Sequence, residues 1–241
     1  MKRGRYQATV ATSGPLILHA QSFRAACFGL EVTHDCDAYD SRCTHVLIAD
    51  TTSGAPVCCF RMLHLKPAQI TQSYSAQFYD LSPLEVFHGH MLEVGRFCMD
   101  AGCHDPDVLR LAWAVLTAQV DALKIALLFG CSSFQGMVPA LYEDAFAMLA
   151  HRHIAPRKWS PGAKAAERVS LDGYVNATPD LQRAMTQTPP LLRSYLRLGG
   201  WVSDHAVIDR QMGTMHVFTG VEVALIPPAR KKALRFLLGA H

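Results

Sequence analysis

The chain reads as a mixed α/β (α+β) protein on a mostly antiparallel sheet with an embedded parallel strand pair, and three observations predict this. Residues 45–50 (HVLIAD) and 56–63 (PVCCFRML) are apolar runs joined by TTSGA, with Gly54 at the turn, which is a hairpin signature. Residues 91–99 (MLEVGRFCM), 105–124 and 126–134 (ALLFGCSSF) follow in the order strand, helix, strand, and strands joined through such a helix pair in parallel. Of the 241 residues 50% are apolar and 18% charged, against about 45–50% and about 25% in soluble proteins. A chain of this length and composition buries a substantial core without disulfide or metal staples.

The elements follow in order. Residues 6–10 alternate as a strand, and from Pro15 to Leu30 the residues Leu16, Phe23, Cys27 and Leu30 fall at helical spacings. The polar stretch EVTHDCDAYDSRCTH lacks periodicity and is long enough to be a functional loop. After the hairpin, residues 64–90 are irregular, with one short helix near Pro83. The long helix is opened by Asp105 as its cap and Pro106 in its first turn. Pro139 to His151 forms another helix. Residues 155–190, punctuated by prolines from Pro156 to Pro190 and without clear periodicity, form the one plausible boundary. Residues 1–154 are then the core, and 155–241 an extension completing the same domain with a helix around LLRSYLRL, a turn at Gly199 and Gly200, and late strands.

Several functional classes are excluded. The greasiest segment, Leu111 to Cys131, carries Asp121 and Lys124 and does not span a membrane. The start, MKRGRYQATV, lacks the apolar region of a secretory signal, and the eight cysteines fall at irregular spacings without a C-x-x-C pair. Both point to the cytoplasm and to reduced thiols. Structural zinc needs paired ligands on tight turns, and among the cysteines and twelve histidines only His88 with His90 and His151 with His153 come close. A net charge of +3, without a basic run interleaved with aromatics, gives no case for nucleic acid. The basic residues gather at the ends: Lys2, Arg3 and Arg5, then Arg230, Lys231, Lys232 and Arg235 within ARKKALRFLLGAH. That last segment reads either as a helix packed on the body or as a basic amphipathic helix lying peripherally on an anionic membrane.

Five separated blocks carry a resemblance. FRAACFGLE with Arg24 and Phe28, DAYD with Asp37 and Asp40, CTHVLIAD, CFRML with Arg61, and LEVGRFC with Glu93 and Arg96 resemble a branch of the GNAT N-acyltransferases. That branch is shared by acyl-homoserine-lactone synthases and ornithine-lipid N-acyltransferases, and LFGCSSFQG with PPLLRSYLRLGGWVSDHAVIDRQMGTMHVF is similar to the latter. The resemblance implies the GNAT fold, with flanking helices and a splayed parallel strand pair. It also implies transfer of a 3-hydroxyacyl group from acyl-carrier protein to the α-amino group of ornithine, giving lyso-ornithine lipid. The donor would be the carrier's phosphopantetheine thioester, with no permanently bound cofactor. The alternatives are another amino-acid acceptor, an acyl-homoserine-lactone synthase, and an inactive module that binds carrier protein or membrane.

The residues fit such chemistry. Making an amide from a thioester requires an ammonium to lose a proton and an oxyanion to be held. Glu93, mid-strand in MLEVGRF, is the candidate base, because a carboxylate there is costly without a role. The bland alternative is an ion pair with Arg96. On a regular strand the two point to opposite faces, and a bulge at Gly95 would bring them to one side and free backbone N–H groups as oxyanion donors. Arg24, Asp37, Asp40 and Arg61 form a second constellation, able either to bind a zwitterionic amino acid or to fasten the loop over the first helix. Tyr39 is placed at the mouth of the acyl site, and Cys131, Ser132 and Ser133 along the pantetheine exit. The turn DAGCHDPDVLRL before the long helix has one glycine, Gly102, and two acids, Asp105 and Asp107, with Arg110 as the nearest base. Coenzyme A phosphates would be poorly received there, which favours a carrier-protein donor.

Overall fold

A computed structural model describes residues 1–239, which divide into two units interleaved along the chain. The first comprises Met1–His64, Leu92–Ile125 and the C-terminal segment from Pro228; the second comprises Leu65–Met91 and Ala126–Pro227.

In the first unit β1 (Lys2–Arg3), β2 (Tyr6–Ala11), β3 (Thr44–Asp50) and β4 (Pro56–Leu65) form successive antiparallel pairs. The β3–β4 hairpin is as expected, with Gly54 at φ +74° in its turn, a conformation that favours glycine. Helix α1 (Gly14–Cys27) stops short of Leu30 for a local reason. Gly29 adopts φ +63°, its N–H donates to Ala26 O, and Leu30 N–H donates to Ala25 O. This paired pattern caps the last free carbonyls and reverses the chain.

In the second unit a small sheet pairs β5 (Tyr79–Asp80) with β8 (Gly162–Ala163). The first unit resumes with β6 (His90–Met99), neighbour of β4, and α2 (Pro106–Leu123), and β7 (Ile125–Gln135) follows along the chain, in the predicted strand, helix, strand order. Asp105 caps α2 as expected, its carboxylate accepting from Asp107 N–H at 2.9 Å. The second unit's main sheet runs β7, β11 (Thr214–Glu222), β10 (Trp201–Asp209) and β9 (Arg168–Ser170), antiparallel throughout. One face packs on α3 (Glu143–Arg152), α4 (Leu181–Gln187) and α5 (Pro190–Arg197) through Phe134, Phe146, Ala184, Leu192, Val202 and Val217.

One expectation is corrected. The helix placed over Pro139–His151 is a 3-10 turn over Pro139–Tyr142 followed by α3. Residues 155–190, which lack clear periodicity, hold β8, β9 and α4, the last capped by Asp180, which accepts from Gln182 and Arg183 N–H. These elements are two to seven residues long, too short for periodicity to reveal. The short helix expected near Pro83 is present as a 3-10 helix, Ser82–Leu84, and two more precede it. The C-terminal basic segment is helical, α6 (Pro228–Gly239), with Ala240 and His241 outside the described residues. Arg235 clasps Asp121 of α2 through two bonds at 3.0 and 3.2 Å.

Candidate active site

The acidic loop that follows α1 folds onto three arginines from three elements. Arg24 of α1 donates to Asp35 Oδ2 at 2.9 Å and to Asp40 Oδ2 at 2.9 Å. Arg61 of β4 donates to Asp40 Oδ1 and Asp37 Oδ1, both at 2.6 Å, and to Asp37 Oδ2 at 2.7 Å. Arg96 of β6 donates to Asp37 Oδ2 at 3.2 Å and Asp35 Oδ2 at 2.9 Å. The six side chains therefore close a ring of alternating charge, in which every carboxylate accepts from two guanidiniums and every guanidinium donates to two carboxylates. Each fork satisfies its geometry with paired donors, which suits arginine and not lysine. Three positive and three negative charges cancel inside the ring, so it can be sunk into the protein: Arg24 is 0% exposed and Arg61 3%. Removing one member of such a network typically costs about 3–5 kcal/mol, because its partners are left buried and charged.

The ring has further supports. Gln21 Nε2 donates to Asp40 Oδ2 at 3.0 Å, Arg24 also donates to the backbone O of Asp35, and Tyr39 N–H donates to Asp37 Oδ1 at 2.9 Å. His45, fully buried on β3, fixes its own tautomer. Arg24 can only donate, so Nδ1 accepts at 3.3 Å, and Nε2–H donates to Asp40 O at 3.0 Å. The guanidinium neighbours hold the carboxyls of Asp37 and Asp40 below the usual carboxylate range despite burial, and the carboxylates in turn raise Arg61. Arg61 also lies over the Tyr39 ring, 5.9 Å from its centroid.

Glu93 lies on β6 with 4% exposure. It stands three residues before Arg96 on the same strand, and its charge adds to burial in raising Tyr39 and Cys43. The strand departs from regularity between Glu93 and Arg96, but at a different residue from the one expected: Arg96 takes the left-handed conformation at φ +52°, whereas Gly95 does not. That twist turns the Arg96 side chain to Asp35 and Asp37. A built-on Cβ at Gly95 would meet the Arg61 side chain at an ordinary 3.8 Å, so the glycine is not sterically required.

Phe28, one turn beyond Arg24, packs with Phe23 on the cluster of Ala20, Leu47, Cys59 and Cys98. Cys131, Ser132 and Ser133 belong to the second unit and do not act as one group. Cys131 Sγ donates to Ser75 Oγ at 3.5 Å, while Ser132, on the opposite face by strand alternation, accepts from Thr219 Oγ1 at 2.9 Å. Ser133 is exposed and stands opposite His216 in register. Asp107, in the first turn of α2, accepts from Arg3 and from Arg110, each at 2.9 Å, so Arg110 is engaged by the acid beside it.

Asp35, His45 and Gln21 were not singled out from the sequence. A charge count would have found Asp35: three arginines in the resembling blocks need three acids, and THDCDAYD supplies the third two residues before Asp37. Among the described residues no group of three or more His, Cys, Asp or Glu could hold a metal ion, and no helix is long and apolar enough to cross a membrane.

Comparison with known proteins places this geometry. Residues 18–114, which hold all six members of the ring and Glu93, match the acetyltransferase (GNAT) domain family. The chain is similar in fold to FeeM, an N-acyl amino acid synthase from uncultured soil microbes, with a TM-score of 0.52 at 10% identity over 91% of this chain and 93% of that one. The apo form of TofI gives a TM-score of 0.50 at 15% identity over 92% and 98%. In sequence, the L-ornithine N(alpha)-acyltransferase of Rhodobacter capsulatus is 31% identical over 211 residues, covering 85% of this chain and 76% of that protein. That of Brucella abortus is 30% identical over 234 residues, covering 89% and 83%. With matches of this extent, and a GNAT core built around the arginine–aspartate ring, the chain belongs to the L-ornithine N(alpha)-acyltransferase family.

Proposed function

We propose that the protein transfers a 3-hydroxyacyl group from the phosphopantetheine thioester of acyl-carrier protein to the α-amino group of ornithine, giving lyso-ornithine lipid. The observation that carries this reading is the pairing of family membership with a buried carboxylate, Glu93, beside a charge-neutral ring. Glu93 takes a proton from the α-ammonium, directly or through a water. The freed amine attacks the thioester carbonyl carbon, and the tetrahedral oxyanion is held by backbone N–H groups where β6 twists at Arg96. The C–S bond breaks as the amide forms, and the thiol leaves with a proton. Arg24, Asp37, Asp40 and Arg61, with Arg96, fix the loop bearing Tyr39 over this site. Their mutual pairing supports a positioning role for the ring, with the substrate's charges met at its partly exposed edge, where Asp37 and Arg96 lie.

The carrier-protein donor rests on α2, whose N-terminus is occupied by its own acids, Asp105 and Asp107. A pyrophosphate would meet like charge there. Contact with an anionic membrane rests on α6, where Lys232 and Phe236, four residues apart and so on one face, are both exposed, Phe236 by 74%. The double variant Lys232→Glu, Phe236→Ser is expected to lose most sedimentation with anionic vesicles; unchanged binding contradicts that role.

Mass spectrometry of total lipids from a host that lacks such lipids tests the main reading, because it reads head group and acyl chain together. Expression of the chain is expected to yield 3-hydroxyacyl ornithine. A homoserine lactone, or another amino-acid head group, overturns it.

A further inference from the structure

Cys27 closes α1 and Cys98 lies on β6, two residues beyond Arg96. The two meet in the apolar cluster formed by Ala20, Leu47, Cys59 and Cys98, against which Cys27, Phe23 and Phe28 pack. Cys98 is buried at 7% exposure, while Cys27 is partly open to solvent. The interaction between the two thiols lowers Cys27 from the ordinary thiol range against its partial burial, and together with burial raises Cys98. Cys59, the third sulfur of the cluster, is pushed up to about 12, mainly by burial. A partly exposed thiol with a lowered pKa is the one that peroxides oxidise first, and a buried thiol in the same cluster is the arrangement of a resolving partner.

We propose that Cys27 and Cys98 form a peroxide-responsive dithiol in which Cys27 is oxidised first and Cys98 resolves it as a disulfide. The Cys27 thiolate attacks the O–O bond of a hydroperoxide, giving sulfenic acid and, once the leaving oxygen takes a proton, an alcohol or water. The Cys98 sulfur then attacks the Cys27 sulfur, and the hydroxyl group leaves as water with the Cys98 proton. In sum, two thiols and one hydroperoxide give one disulfide, one alcohol or water, and one further water; the sulfurs lose two electrons and the peroxide gains them. The bond would join the end of α1, one turn past Arg24, to β6 two residues past Arg96, and so tie together two of the elements that supply the ring.

The test treats the full-length chain with stoichiometric hydrogen peroxide, blocks remaining thiols with an alkylating agent, digests without reduction and maps cross-links by mass spectrometry. The expected result is a Cys27–Cys98 peptide as the principal cross-link, lost on dithiothreitol treatment and absent in Cys27→Ser. In Cys98→Ser, Cys27 is expected to accumulate as a sulfenic acid that dimedone labels. A Cys27–Cys59 link, intermolecular links through the exposed Cys36 alone, or irreversible oxidation of Cys27 with Cys98 still alkylatable would each overturn the proposal. Cross-link mapping does not require activity, so its outcome is independent of the acyl-transfer reading.

Discussion

Arg96 and Lys124 are the non-glycine residues at positive φ among those described, and they hold it for different reasons. Lys124 ends α2, its N–H donating to Val120 O, at a position where glycine is usual. Arg96 sits inside a strand, where a left-handed residue with a Cβ costs roughly 1–2 kcal/mol, and two ion pairs to Asp35 and Asp37 offset that cost. Arg96→Ala and Arg96→Gly lose the same ion pairs, but only glycine relieves the backbone. Chemical denaturation is expected to find Arg96→Gly the more stable by about 1 kcal/mol; equal stabilities would mean the twist is imposed by the ion pairs alone. At this scale the sequence was informative about residue type and less so about partners. Glu93, Arg96 and the members of the ring other than Asp35 stood out because charge in an apolar strand or beside one needs a reason. Asp35 and His45 did not, since a loop acid and a strand histidine have many ordinary uses, and only the fold brings them to Arg24.

Elements long enough to show their period were legible to within a residue or two: the β3–β4 hairpin, β6, α2 with its Asp105 cap, and β7. Those governed by single residues were not. Gly29 ends α1 early, a 3-10 turn from Pro139 precedes α3, and α4 is too short to declare itself. The packing of β10 on β11 shows a similar dependence on one position. A Cβ built on Gly220 of β11 would lie 2.5 Å from the ring of Trp201, its register partner on β10. Gly220→Ala must therefore shift a buried indole or the strand beneath it, and a loss of about 1–3 kcal/mol is expected in urea unfolding. Gly213, with nothing within 4 Å of its built Cβ, meets no such clash, although its φ of +62° still disfavours a side chain.

Over the whole molecule, the apolar excess and mild net charge of the sequence resolve into buried charge that cancels locally. The two units are set to respond to acid at different pH. In the second, His216 is 2% exposed and touches Tyr79, whose hydroxyl lies 3.1 Å from Nδ1 and donates to the His216 backbone O at 2.7 Å. Burial, aided by His205 and opposed by Asp209, lowers His216 to about 4 from 6.5. Its folded value is depressed, so the neutral form's contribution is fully present above about pH 6.5 and is lost as pH falls toward 4, by about 3 kcal/mol. Asp37 and Asp40 in the first unit are also depressed, and their contribution disappears only below the ordinary carboxylate range. Urea midpoints measured against pH are expected to fall in two stages, with His216→Asn flattening the earlier one; an unchanged slope between pH 6.5 and 4 in that variant would contradict the assignment.

The central claim is that Glu93 takes the proton that makes ornithine's α-amine a nucleophile. Glu93→Gln preserves shape and removes the base, so purified wild-type and variant chains, supplied with 3-hydroxyacyl carrier protein and ornithine, decide it by the rate at which N-acyl ornithine forms. The account predicts a loss of about 100-fold or more in turnover with an unchanged melting temperature. Wild-type turnover by the folded variant would contradict it.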